Sequence, residues 1–301
     1  MGLSHDASLF EFPSPMFVPG SDLTPLEENV EQIIYGLTQW EPTVKKRGSE
    51  EAPKKVAIEG KDDSDAVTKM NTLFLRNSWG DGLPLLPATE ERVNWLLTGT
   101  DLPRDTVIGK IMPSGRTATV ESLAVCLAMT GGRPEYMPVV IAACRAMIDP
   151  RFRHQLMQAT TCSVNIAAIV NGPISRQIRL NAGYGCLGPN PRYPAGGCIG
   201  RALRLIQQNI GQAIPEFGTM SNFGGSAKWA NVVFAEDEGG LPEGWEPLSV
   251  ERGFSKDSNV ITIHAVATAT NITSTPPMRR RYMRRCSILR ALWAAITATS
   301  F

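Results

Sequence analysis

The chain of 301 residues lacks any apolar run that approaches the roughly 18 residues required to span a membrane. Its first ten residues, MGLSHDASLF, contain neither the basic start nor the apolar core of a secretory signal. Asp6 also stands where a myristoylation motif requires Ser or Thr. The sequence therefore argues against stable membrane insertion.

Closely spaced metal-binding or redox motifs are also missing. None of the six cysteines forms a C-x-x-C pair, and the three histidines are too far apart for a zinc-ligand spacing. Four of the cysteines lie in apolar or helical contexts, which suits reduced, buried thiols. We therefore expect a cytoplasmic protein.

Acidic residues are absent after Pro277, whereas six of the 30 basic residues lie there. The residues up to Pro276 consequently carry 24 basic against 29 acidic groups. An acidic body argues against nucleic acid as the main partner.

The remaining pattern predicts an α+β fold in one globular domain of mixed strands and buried helices, preceded by an N-terminal helical arm. We place an arm, a helix and a linker in residues 1–63, the catalytic-like domain in 64–276 and a basic tail in 277–301. Apolar periodicity predicts helices over 64–77, 119–130, 134–149 and 198–210, and strands over 166–170, 232–235 and 260–266.

The basic tail has two interpretations. It is either an amphipathic helix for a membrane or partner, or a segment that does not belong to the ancestral fold. We favour the second, because the strand pattern before the tail stops without a natural end.

Two glycine-rich segments lie between the predicted strands. Residues 183–188 match the letters of a dinucleotide fingerprint, but Pro189 blocks the helix that such a site requires, so we expect no dinucleotide. The second segment leads into a helix, where Gly197 exposes its backbone N–H and Arg201 offers a charged contact for an anionic group. Cys198 would lie in the first turn, where a thiolate is stabilised, or would simply be a small apolar residue.

An acidic cluster follows the strand 232–235. Glu236 and Glu238 point to one face if the strand continues. Two adjacent carboxylates provide an acid and a base, or they bind a hard cation such as Mg²⁺ or Mn²⁺, or they are a solvated strand end. We expect Glu236 and Glu238 to function as catalytic groups.

Four further residues are candidates for substrate binding. Asn171 follows a buried strand and would orient the substrate from the strand end. Asp81, between two glycines, is either a site residue or a turn aspartate. Glu251 and Arg252 are either substrate contacts or a structural ion pair. His264 alternates with apolar neighbours on a predicted strand, so we interpret it as a core residue.

Several short motifs together resemble the large domain found with UGSC-type (seleno)proteins. The motifs are GDGLP from Gly80, NGP from Asn171, IGRA from Ile199, and WEP from Trp245 followed by ERGF from Glu251. The resemblance covers about residues 70–275 and implies thiol-linked redox chemistry. This chain has no Cys-Gly-Ser-Cys segment, and the resemblance implies a longer C-terminal part of the fold.

We predict an enzyme of secondary metabolism that acts on a small anionic metabolite by acid/base chemistry of the lyase or hydrolase kind. Glu236, Glu238 and Cys198 would be catalytic, and the identity of any cofactor stays open, including a divalent metal. Alternatives are a thiol-linked oxidoreductase subunit with a separate redox partner, and a non-catalytic remnant or scaffold. The sequence also leaves open whether the protein forms a homo-oligomer. The prediction requires the acids and the start of the helix at Cys198 to face one hollow.

Overall fold

The computed structural model describes residues 20, 22–41, 55–222, 224–269 and 297–300. The chain divides into two compact units, residues 1–57 and 58–301. The first unit contains two short helices, α1 (Thr24–Glu28) and α2 (Val30–Thr38). Thr24 is the first residue of α1, and its N–H donates to the Asp22 carboxylate at 3.0 Å.

The second unit contains helices, a hairpin and a four-stranded sheet, so the predicted α+β class is confirmed. In chain order its elements are α3 (Asp63–Arg76), α4 (Glu90–Leu97), β1 (Val107–Ile111), β2 (Arg116–Thr119), α5 (Val120–Met129), α6 (Met137–Ile148), α7 (His154–Gln158), β3 (Asn165–Asn171), α8 (Pro173–Gln177), α9 (Ala195–Leu205), α10 (Ser226–Ala230), β4 (Val232–Ala235), α11 (Leu248–Glu251), β5 (Val260–Val266) and β6 (Thr297–Ser300). One π-helical turn, Ile206–Ile210, extends α9.

Side-chain caps begin several of these helices at the places where short polar residues precede them. The Asp62 side chain accepts from the N–H of Asp65 at the start of α3, and Thr89 accepts from Arg92 at the start of α4. No helix in the described part of the chain is both long enough and apolar enough to cross a membrane.

The central sheet has the strand order β4-β3-β5-β6. Strand β3 is parallel to β4 and antiparallel to β5, and β5 is antiparallel to β6. Strand β4 lies at one edge, where the N–H of Ala235 donates to the carbonyl of Asn181 at 2.9 Å. The sheet therefore brings the carboxyl ends of β3 and β4 together.

One face of this sheet packs against α6 and α9 and forms the main core with α5. The side chains that share this face are buried: Ile166, Ala168, Val170, Val233, Ala235, Ile261 and Ile263. Alternation along the strands places Asn171 and Thr262 on the opposite face, together with the half-buried His264. The two faces therefore differ, one apolar and one mixed.

Helix α9 approaches β4 closely because glycines face the strand. A Cβ atom on Gly200 would meet the carbonyl of Ala230, and one on Gly196 would meet the carbonyl of Val233. The helix therefore runs antiparallel to β4. Its start at Ala195 precedes the predicted start at Cys198 by three residues.

The last four described residues add a strand to the sheet. Residues 297–300 pair with β5 in the register Val260↔Ser300 to Ile263↔Thr297. The rest of the predicted basic tail, 277–296 and 301, lies outside the described residues, as does the N-terminal arm up to residue 19.

His154, which lies in a polar part of the sequence beside Arg153, is only 3% exposed. Burial, and then the charge of Lys228, lower the pKa of His154 from 6.5 to about 4. The folded protein therefore excludes a proton that the unfolded chain binds below pH 6.5, and stability should fall as the pH decreases from 6.5 to about 4.

We expect the substitution His154→Gln to remove this acid sensitivity. Between about pH 7 and about pH 5 the wild-type protein should lose roughly 2 kcal/mol more of its unfolding free energy than the variant. Urea denaturation at both pH values measures the difference. Equal losses in the two proteins would show that folding does not lower the pKa of His154.

Candidate functional site

Glu236 is held at the carboxyl end of the sheet by three hydrogen bonds. Its N–H donates to the carbonyl of Val170 at 3.2 Å and so continues the ladder between β3 and β4. Its Oε2 atom accepts from the Asn171 side-chain amide at 2.6 Å and from the backbone N–H of Leu248 at 2.8 Å. The carboxylate therefore joins the end of β3 to the start of α11.

Glu238 binds the same amide nitrogen. Its Oε1 atom accepts from Asn171 Nδ2 at 2.9 Å and from the N–H of Gly172 at 2.9 Å. Strand β4 has already ended at Ala235, so strand alternation does not produce this convergence. The shared nitrogen keeps the two carboxylates within a few ångströms of each other.

Each carboxylate has one oxygen that is available for chemistry. The hydrogen bonds of Glu236 involve Oε2 and those of Glu238 involve Oε1, and within the described residues the other oxygen of each has no hydrogen-bond partner. Both residues are half-buried. Paired carboxylates in such a position share a proton or bind a cation in proteins.

Asn171 is fully buried, and its amide orientation follows from its partners. With its NH₂ group towards two carboxylates, its Oδ1 atom is left buried and without a hydrogen bond in the described part of the chain. The sequence predicted that Asn171 would orient the substrate. In the structure it positions the two acids instead.

The turn after Asn171 requires glycine. Gly172 has φ +90°, and a Cβ atom there would meet the carbonyl of Ser258 at 2.3 Å. The glycine turns its N–H towards Glu238. Backbone donors such as those of Gly172 and Leu248 have no residue-type signature, so the sequence did not reveal them.

The predicted anion contact at the start of α9 lies on the other side of the sheet. Val233 points towards α9, where its Cγ2 atom would be 3.5 Å from a Cβ atom on Gly200. Glu236, three residues further along, hydrogen-bonds to Asn171 on the opposite face. The expectation of one hollow shared by the acids and the residues Gly197 and Cys198 is therefore wrong. The predicted site that combined the acids with an anion contact at the start of α9 fails in that form, and the acid pair has to be considered without α9.

Arg201 is already occupied by an acidic side chain. Its Nε and Nη2 atoms donate to the two carboxylate oxygens of Asp81 at 2.5 and 2.8 Å, and Nη2 also donates to the carbonyl of Pro84. The Asp81 side chain is 1% exposed and that of Arg201 is 22% exposed. Two predicted substrate contacts are thus brought together as a bidentate ion pair between α9 and the loop before α4.

Cys198 does not have the environment of a reactive thiolate. Burial raises the pKa of its thiol above the ordinary value of 9.0, and the charges of Arg201 and Arg92 offset this only in part. Its N–H already donates to the carbonyl of Pro194. Burial also raises the pKa of Cys186.

Glu251 and Arg252 are exposed at the end of α11, and no ion pair between them is present among the described residues. Neither contacts the two acids. Helix α11 takes part in the site through its first residue, Leu248, whose N–H binds Glu236.

A separate cleft of about 370 Å³ lies beside α4. Its lining residues are Leu86, Pro87, Thr89, Glu91, Arg92 and Trp95, and the Arg92 guanidinium lies 5.7 Å from the centre of the Trp95 ring. None of the predicted site residues lines this cleft. In the described part of the chain, no group of three or more His, Cys, Asp or Glu residues is arranged to hold a metal ion.

Comparison with known proteins adds no family assignment. No protein-family model, no curated protein and no solved structure matches this chain. The resemblance to the domain of UGSC-type proteins therefore stays a prediction, and function has to be argued from the geometry.

The ion pair between Asp81 and Arg201 should be measurable as a stabilising contact. Asp81→Asn or Arg201→Met leaves one buried charge without its partner, so each should lower the free energy of unfolding by about 2–3 kcal/mol. The double variant should lose less than the sum of the single losses, as chemical denaturation would show. The exposed pair Arg133 and Glu135 is the matched control, for which we expect less than about 1 kcal/mol. Additive losses at Asp81 and Arg201 would contradict the coupling.

Thiol labelling should follow exposure rather than position on a helix. Cys162 is exposed, whereas Cys186 and Cys198 are partly buried. We expect iodoacetamide to alkylate Cys162 before Cys186 and Cys198, because a raised thiol pKa leaves little thiolate at the latter two. Peptide mass spectrometry over time measures the order. Selective early alkylation of Cys198 would instead support the thiol-linked alternative.

Proposed function

We propose that the protein is an enzyme that transfers protons to and from a small molecule, with Glu236 and Glu238 as its acid/base pair. The observation that supports this is the single buried amide of Asn171, which binds one oxygen of each carboxylate and leaves the other oxygen unbonded. This arrangement fixes two acids at the end of the sheet before a substrate arrives.

The chemistry follows from two carboxylates held close together. Paired carboxylates in enzymes divide the roles of proton donor and proton acceptor, and general acid–base catalysis of this kind contributes about 10²–10⁴-fold to a rate. Backbone and amide donors restrict the motion of Glu236 and Glu238, so little reorganisation is needed during the reaction. Lyase and hydrolase-like reactions are the classes that use such a pair.

An anionic substrate requires positive charge at the acid pair. The acid pair carries no hydrogen bond from a basic side chain in the described residues, and Arg201 is engaged by Asp81. An anionic substrate therefore needs its charge offset at the pair by a proton or a divalent cation. Mg²⁺ commonly takes one or two carboxylates together with water, so the two unbonded oxygens are suitable ligands.

The thiol-linked alternative has less support. It requires an accessible thiolate, and burial at Cys198 and Cys186 acts in the opposite direction. A cytoplasmic location remains part of the proposal.

Proton transfer can be tested before the substrate is known. The purified protein is incubated in D₂O with a mixture of small carboxylic and hydroxy acids, and mass spectrometry detects deuterium incorporation or conversion. Wild type should label or convert at least one compound, whereas Glu236→Gln and Glu238→Gln should lose about 10²-fold or more of that rate. Parallel samples with EDTA and with added Mg²⁺ show whether a metal takes part.

The matched control is Asp237→Asn, because Asp237 lies between the two acids and is exposed. It should keep the wild-type rate. Circular dichroism and thermal melting confirm that all three variants are folded. No labelled or converted compound with wild type, or full activity in both glutamate variants, would refute the proposal and favour a non-catalytic scaffold.

A further inference from the structure

A second polar cluster lies at the other end of β4, away from the two acids. Helix α10 directly precedes β4, and its residue Lys228 is 3% exposed. We call Lys228, His154 and Arg204, with the amides of Gln158 and Gln207, the basic cluster. All five residues are at most 3% exposed.

Among the described residues, Lys228 has two hydrogen-bond partners, and both are neutral and distant. Its Nζ donates to the carbonyl of Met157 at 3.3 Å and to Gln158 Oε1 at 3.5 Å. An ammonium group has three protons and prefers shorter bonds to charged acceptors. The contacts at Lys228 therefore satisfy the cation poorly.

His154 adds a buried donor. Its Nε2 lies 3.1 Å from Gln207 Nε2 and 3.4 Å from Gln158 Nε2. Both neighbours are NH₂ groups, so Nε2 accepts and the proton of the neutral ring is on Nδ1. Nδ1 has no hydrogen-bond partner in the described part of the chain. The ring thus presents an N–H that lacks an acceptor.

Thr219 supplies a hydroxyl group in the same region. The N–H of the next residue, Met220, donates to the carbonyl of Gln158 at 2.8 Å, which places this segment beside the cluster. Thr219 is 6% exposed, and its Oγ1 has no partner among the described residues. The region therefore contains a buried hydroxyl group, able to donate a hydrogen bond, that has no partner in the described part of the chain.

The charges in the cluster repel one another. Burial, and then Arg204, lower the pKa of Lys228 from 10.5 to about 8, and Lys228 in turn contributes to the lowered pKa of His154. The acidic group that acts on Arg204 is Asp81, which is itself paired with Arg201. No acid in the described residues acts on Lys228 or His154.

Buried charges in proteins are normally paired, because removing a charge from water is costly unless an opposite charge or several hydrogen bonds replace the solvent. Around Lys228 and His154, the described residues leave positive charge and a hydrogen-bond donor without a negatively charged acceptor. A ligand that offers negative charge and acceptor atoms only would satisfy both.

We propose that the basic cluster is a binding site for a small oxyanion, such as a phosphate or carboxylate group, with Lys228 as its charged contact. The His154 Nδ1–H and the Thr219 hydroxyl group supply neutral hydrogen bonds. This site is separate from Glu236 and Glu238 and does not depend on the proposed acid/base function.

Binding of inorganic phosphate to the full-length protein tests the proposal. Thermal melting is recorded in phosphate, acetate and chloride at equal ionic strength, and titration calorimetry gives the affinity for phosphate. We expect phosphate or acetate, but not chloride, to raise the melting temperature of the wild-type protein. Lys228→Met should weaken binding by about 10- to 100-fold, the range for a charge-assisted hydrogen bond.

Lys110→Met is the matched control, because Lys110 is exposed on β1 and should bind phosphate like the wild type. If Lys228→Met does not fold, Thr219→Val provides a second variant that keeps the side-chain shape and should weaken binding. The proposal is overturned if wild type binds neither phosphate nor acetate, if chloride acts equally, or if a folded Lys228→Met or Thr219→Val variant binds as tightly as wild type.

Discussion

The hydrogen bonds from the Asn171 amide to Glu236 and Glu238 are the interaction on which the candidate site depends. They connect the end of β3 to a segment of the chain that begins 65 residues later. Without them, two like charges at the end of a short strand would separate into solvent. The same contacts explain why Asn171 is buried although its side-chain Oδ1 atom has no hydrogen bond among the described residues. The two charge-assisted hydrogen bonds at Nδ2 offset that loss.

Much of the fold could be predicted from hydrophobic patterning. The strands β3, β4 and β5 and the helices α5 and α6 are apolar enough that their positions agree closely with the prediction. The hairpin of β1 and β2 was missed, because its strands are only five and four residues long and the register of β1 shifts between Val107 and Gly109. The beginning of α9 was misplaced, because glycines that weaken a helix by propensity are required there by the close approach to β4.

The candidate site could be predicted only in part. The acidic residues after β4 were recognisable as candidates, and the structure brings Glu236 and Glu238 together with Asn171. The sequence could not show that Arg201 would be paired with Asp81, because that contact joins positions 120 residues apart. It also could not show on which face of the sheet each group lies, since β4 ends at Ala235 and the placement of the acids depends on their hydrogen bonds to Asn171 and Gly172. The basic cluster escaped detection because its members are scattered along the chain and become neighbours only through burial.

The contact between Ala235 and Asn181 has a consequence for self-association. β4 is an edge strand, and an edge with unpaired backbone groups is a template for pairing with another chain. Asn181 covers this edge, and its own side chain is anchored to Gly183 and to the carbonyl of Tyr184. The residue that leads into the glycine-rich segment thus occupies a backbone donor of this edge, which leaves fewer groups on β4 for pairing with a neighbouring molecule.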